Sequence, residues 1–125
     1  MVNFVTAINC MDGRVQIPVI YWMKKRYKVE YVDMITEPGP NKILAENTNS
    51  TLTNSIKQRV EISVNKHRSN IIAIIGHHDC AGNPSDKNTQ MTQLADSVKI
   101  IKSWNLPAEV ISLWIDEDWI VHKIH

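Results

Sequence analysis

Cysteine is scarce in this chain of 125 residues: there are two, Cys10 and Cys80, too few for a disulfide framework. At 43% hydrophobic residues, a chain of this length can bury a core without such staples, and it reads as one domain over residues 1–125. Charge of one sign is equally scarce. Lys and Arg number 14 against 13 Asp and Glu, leaving a formal charge of +1, which provides no field to recruit nucleic acid or an anionic lipid surface. The longest basic run, Lys24-Lys25-Arg26, reads as a solvated helix face. No apolar run approaches the ~18 residues of a membrane span, and the stretch from Met1 to Asn9 lacks the basic segment that opens a secretory signal. The expected protein is soluble and cytoplasmic, with reduced thiols. Repeats, low-complexity tracts and linker-like shifts of composition are absent too.

What is present is an alternation of apolar runs and amphipathic stretches. Asn3 to Asn9 reads as a buried strand. Ile17, Ile20, Tyr21, Met23 and Tyr27 approximate one face of a helix that runs to about Lys28, with Pro18 tolerated in its first turn. Val29 to Thr36 reads as a second strand, stopped by Glu37-Pro38-Gly39-Pro40, and Lys42 to Glu46 as a helical turn. Leu52, Ile56, Val60 and Val64 recur every four residues and predict an amphipathic helix to about His67. Asn70 to Ile75 is the most apolar run and suits a central parallel strand covered on both faces. Met91, Leu94, Ala95, Val98, Ile101 and Trp104 mark a further helix ending before Pro107. Glu109 to Ile115 is a fourth strand, and Trp119 to His125 a short tail for which an edge strand is one option. Strands alternating with helices predict an α/β fold: three layers, a mostly parallel sheet of four to five strands, helices on both faces.

Two stretches that follow apolar runs carry the chemistry. Cys10-Met11-Asp12-Gly13-Arg14 and Gly76-His77-His78-Asp79-Cys80-Ala81-Gly82 hold both cysteines and two of the five histidines. Sites in open α/β sheets form beyond the carboxyl ends of strands, so the stretches meet if their strands are neighbours. A lone cysteine is most often an inert buried thiol. One Cys plus His-x-x-Cys, however, supplies three ligands of the softness zinc prefers, leaving a fourth tetrahedral position open. Gly76 and Gly82 are expected to let the backbone bend around the ion. Asp12 and Arg14, two and four residues past Cys10, would project to the same side in extended backbone. Asp12 can then stand beside the metal with Arg14 clamping it; the plainer alternative for the pair is a surface ion pair or a turn.

These residues also carry a resemblance. Cys10-Met11-Asp12-Gly13-Arg14-Val15 followed by Pro18, and Gly76-His77-x-x-Cys80-Ala81-Gly82, resemble the Cys-x-Asp-x-Arg and Gly-His-x-x-Cys-x-Gly signatures of β-class carbonic anhydrases, in a short member of that family. The resemblance implies that Cys10, His77 and Cys80 bind Zn2+ and that Asp12 and Arg14 form the dyad beside it. It implies reversible hydration of carbon dioxide to bicarbonate by metal-bound hydroxide, in a homodimer or higher homo-oligomer. Trp22, Trp104, Trp114 and Trp119 are candidates for burial between subunits. The same scaffold is similar to enzymes that hydrolyse carbon disulfide or carbonyl sulfide, and a non-catalytic metal-binding or regulatory module is the alternative of another class. Of the remaining polar residues, His78 is expected to point away from the metal, Asp79 to serve a turn, and His122 and His125, which could shuttle protons at neutral pH, to be exposed bystanders. Gln16 reads equally as pocket lining or solvated loop.

Overall fold

The computed structural model describes residues 2–125. In chain order the elements are β1 (Phe4–Cys10), a single 3-10 turn (Gly13–Val15), α1 (Gln16–Tyr27), β2 (Tyr31–Glu37), α2 (Pro40–Glu46), α3 (Ser50–Lys66), β3 (Ile71–His77), α4 (Lys87–Lys102), β4 (Glu109–Ile115) and β5 (Val121–Lys123). They form one five-stranded sheet in the order β2-β1-β3-β4-β5. The first four strands run parallel, and β5 closes the far edge antiparallel to β4. The tail is therefore an edge strand.

The chain leaves β1 for β2 on one side and later crosses to β3 on the other. Right-handed crossovers to opposite sides must lie on opposite faces of the sheet. Accordingly α1 packs alone on one face, over Val5, Ala7, Ala73, Ile75, Ile111 and Leu113. On the other face α2, α3 and α4 cover Ile8, Ile35, Ile72 and Ile74 through Leu44, Ile56, Val60, Leu94 and Val98. The run Ile71 to Ile75 feeds both layers by alternation, which is why it shows no polar face. Fully burying each isoleucine contributes roughly 1.5–3 kcal/mol.

The reversal of strand order places a crevice between the carboxyl ends of β1 and β3, where open α/β sheets bind ligands. Cys10 ends β1 and His77 ends β3. The sequence reading ends these strands at Asn9 and Ile75, so Cys10 sits one residue and His77 two residues deeper in the sheet than expected.

The inward face of α1 keeps Met23 of the expected residues, with Tyr27 partly buried against the same core, but not Ile17 or Tyr21. Val19 and Met23 are buried, continuing a stripe begun by Val15, whereas Ile17 is 77% and Tyr21 65% exposed. The 3-10 turn ahead of the helix rotates its entry, so the i, i+4 series from Val15 faces the sheet. The helical turn expected at Lys42 begins earlier, with Pro40 in the first turn, where its missing N–H costs nothing. The helix expected from Met91 starts at Lys87, capped by Asp86, whose carboxylate accepts from the Thr89 N–H at 2.8 Å. Trp114 is buried within the chain, at 3% exposure, and is unavailable to a neighbouring subunit.

Candidate metal centre

The first loop is tied down by side chains bonded to its own backbone. The Asn9 carboxamide accepts from the Cys10 N–H at 2.9 Å and donates to the Val15 carbonyl at 3.1 Å. Gln16 Nε2 donates to the carbonyls of Cys10 and Asp12 at 2.6 and 3.2 Å. Gln16 thus staples this loop. Asp12 caps the 3-10 turn, its Oδ1 accepting from the Arg14 N–H at 2.9 Å. The extended backbone expected here is absent, and the turn brings the two side chains together instead. Arg14 Nη2 reaches Asp12 Oδ2 at 2.7 Å, and its Nε donates to Oδ1 at 3.1 Å.

The second loop is held from behind by polar side chains on α2 and α4. Gln90 Nε2 donates to the His77 carbonyl at 2.8 Å, and Gln90 Oε1 accepts from Asn41 Nδ2 at 3.1 Å. Both residues are buried at 1% exposure. A β-carbon at Gly76 would come within 2.8 Å of Asn41 Nδ2, and one at Gly82 within 2.6 Å of the Pro38 backbone. These glycines permit close approach; neither is among the positive-φ residues, so bending around an ion is not their role. The sharp turn falls at Asp79, in the left-handed region at φ 56°. Asp79 serves that turn as expected, and its side chain and carbonyl also receive Arg14, from Nη1 at 3.2 Å and Nη2 at 3.0 Å. Arg14 therefore bridges the two loops.

Between them the loops bring Cys10, His77 and Cys80 together, buried, with one ligand atom from each within 4.8 Å of the others. The two sulfurs are 3.7 Å apart. Two thiolates sharing one tetrahedral zinc lie about 3.8 Å apart, given Zn–S bonds of ~2.3 Å. His77 Nδ1 donates to the His78 carbonyl at 2.7 Å, which fixes the tautomer and leaves Nε2 as the lone-pair nitrogen. That Nε2 is buried with no hydrogen-bond partner among the described residues. An orphaned buried nitrogen facing two thiols is costly without an ion and satisfied by one. The donor set thus fits a thiophilic divalent metal.

The electrostatics agree. The Cys80 thiol beside it, and then His77, hold Cys10 well below the ordinary thiol range, against burial. The Cys10 thiolate, and then burial, push Cys80 far up. The two shifts run in opposite directions because the sulfurs act on each other, and a cation held between them would favour ionisation of both. Burial opposes charge on His77, but the Cys10 thiolate and the His78 carbonyl outweigh it and raise its pKa. Hydrogen bonds from Arg14 lower Asp12 to about 2 despite partial burial, so Asp12 is ionised at neutral pH. Its Oδ2 stands 4.0 Å from His77 Nε2. A cavity of about 200 Å³ opens onto this group, lined by Cys10, Met11, Asp12, Pro38, Ala81 and Gly82. Its walls are mostly apolar, with the carboxylate and one sulfur as polar groups.

The remaining predicted residues lie apart from the cluster or on its rim. His78 is exposed, its N–H donating to the Ile115 carbonyl at 2.9 Å. His122 Nε2 pairs with Asp116 Oδ2 at 2.7 Å, and His125 Nδ1 with the Ser112 hydroxyl at 2.5 Å. Sequence reasoning missed Gln90, Asn41 and Trp119. For Gln90 a signal existed: it falls on the buried stripe of α4 with Leu94, Ser97, Val98 and Ile101, and a polar residue on an apolar stripe requires a partner.

Compared with known proteins, residues 1–125 match the profile of a family described as "Putative carbonic anhydrase". Among solved structures the fold is similar to that of tetrameric beta-carbonic anhydrases from the filamentous ascomycete Sordaria macrospora, at 13% identity and a TM-score of 0.52, covering 98% of this chain and 80% of that one. It is also similar to the beta-carbonic anhydrase CafA of Aspergillus fumigatus, at 12% identity and a TM-score of 0.50, covering 98% and 74%. No match was found among curated protein sequences.

Proposed function

The chain belongs to the carbonic anhydrase family whose profile spans it, and from that premise we propose that it catalyses the reversible hydration of carbon dioxide to bicarbonate, with zinc held by Cys10, His77 and Cys80. The observation that carries this reading is the buried Nε2 of His77, without a hydrogen-bond partner among the described residues, facing two sulfurs 3.7 Å apart. Bound zinc supplies Lewis acidity that brings the ionisation of water towards pH ~7. The protein supplies orientation. Asp12 stays ionised and offers Oδ2 beside the cluster as an acceptor that fixes where the proton of the attacking group points. Arg14 keeps Asp12 from becoming a donor or swinging to the metal. The apolar walls of Met11, Pro38 and Ala81 admit a small uncharged linear molecule without offering it competing hydrogen bonds.

Stopped-flow hydration by zinc-loaded protein tests the assignment, and the expected result is a rate well above the buffer reaction. No rate above buffer, with one zinc per chain confirmed, would sink it. Carbon disulfide and carbonyl sulfide belong in the same assay, since preferential turnover of either would move the substrate assignment.

We further propose that the protein acts in the cytoplasm as a homo-oligomer. Among the described residues no helix is long and apolar enough to cross a membrane. Met11, Ile17 and Tyr21 leave three large side chains exposed on the loop and helix beside the site, at 63%, 77% and 65%. Light scattering at micromolar concentration should return a multiple of the 14.3 kDa chain mass; the monomer mass would overturn the assembly.

A further inference from the structure

The β4–β5 hairpin delivers an aromatic ring to the dyad, and we infer that Trp119 is a positioning residue that sets the Arg14 guanidinium and, through it, Asp12. This rests on the proposed hydration reading. The Arg14 Cζ lies 4.4 Å from the centroid of the Trp119 ring, in the geometry of a cation–π contact. The edge of the guanidinium is already engaged by Asp12 and Asp79. Those bonds hold its in-plane position, and the indole restrains its tilt and keeps water from one face. The same indole stands 6.4 Å from the His77 ring and 6.5 Å from the His78 ring, so it touches both halves of the centre.

The hairpin is built to hold that pose. Trp119 sits at φ 62°, a conformation disfavoured for a bulky residue and kept only where its surroundings impose it. Asp116 imposes it. Its carbonyl accepts from the Trp119 N–H at 3.0 Å, and its Oδ1 accepts from the N–H groups of Asp118 and Ile120 at 2.9 and 3.0 Å. Its Oδ2 is anchored by His122 at 2.7 Å. A loop needing a turn alone has no reason to place tryptophan, rather than glycine or asparagine, at the left-handed position.

The test combines a signal from Arg14 itself with kinetics, using the zinc-loaded full chain and its Trp119→Phe and Trp119→Leu variants. In wild type the Arg14 Nε–H resonance in nitrogen-15 spectra should be displaced by the indole ring current and slow to exchange with water. In Trp119→Leu it should lose the ring-current displacement and exchange faster than in wild type while still bonded to Asp12, with zinc stoichiometry unchanged and kcat reduced on the order of tenfold, the scale of one cation–π contact. Trp119→Phe should keep most of the rate and a displaced signal. An Arg14 resonance that is undisplaced in wild type, or identical in Trp119→Leu, overturns the inference; so does a leucine variant whose rate falls only in proportion to lost zinc. Should the wild type show the displaced resonance yet hydrate no carbon dioxide, the positioning contact stands and the hydration reading falls.

Discussion

Substitution of Cys80 by serine is expected to abolish equimolar zinc binding while leaving the sheet intact. A serine hydroxyl does not ionise near neutral pH and is a poor ligand for a soft cation, so the site loses one of its three protein donors. The loss should exceed the ~100-fold that follows removal of an outer hydrogen-bond partner of a metal site. The structure adds a sign. Because Cys80 is pushed far up by the Cys10 thiolate, a metal arriving at pH 7 must displace a proton, so wild-type affinity should weaken as pH falls. Competition against a chromophoric chelator reads both effects. Melting with and without zinc supplies the structural control: zinc should raise the wild-type Tm by mass action and leave that of Cys80→Ser unchanged. A variant that kept one zinc per chain at wild-type affinity would remove Cys80 from the site.

Much of this centre was legible because strand ends are legible. The run Ile71 to Ile75 closing on Gly76 and the run Phe4 to Ile8 closing on Cys10 locate two carboxyl ends, and parallel α/β topology puts such ends on one rim. That β1 and β3 are neighbours cannot be read locally, since it depends on the chain reversing direction across the sheet between β2 and β3. The face of α1 was misread for a related reason. Ile17 and Tyr21 satisfy helical spacing as well as Val15 and Val19 do, and the choice between them is made by the turn at Gly13–Val15. Trp119 was out of reach altogether. Its contact with Arg14 spans most of the chain and depends on the left-handed step that Asp116 enforces, and no periodicity records either.

Asp12→Asn and Asp12→Ala should retain zinc and lose turnover, by a factor of about 10²–10⁴ in kcat, the usual contribution of a placed proton-handling group. The pair of variants separates charge from structure. Asp12 Oδ1 caps the 3-10 turn through the Arg14 N–H, so alanine also removes a cap worth about 1 kcal/mol. Asparagine keeps an acceptor at that position and removes only the charge. If the carboxylate is what matters, both variants fail alike in turnover while only alanine lowers the urea midpoint. The pH dependence follows from the sign of the shift. Asp12 is lowered from 3.8 to about 2 by Arg14, so its pairing contributes to folding fully above the ordinary carboxylate range and is lost as pH falls towards about 2. Arg14 is largely exposed, which keeps that contribution small. Across neutral pH Asp12 does not titrate, and any inflection of the wild-type rate there belongs to another group. Arg14→Leu should return Asp12 towards an ordinary carboxylate and lower kcat with zinc still bound. Turnover by Asp12→Asn at the wild-type rate would return the pair to the status of a surface salt bridge.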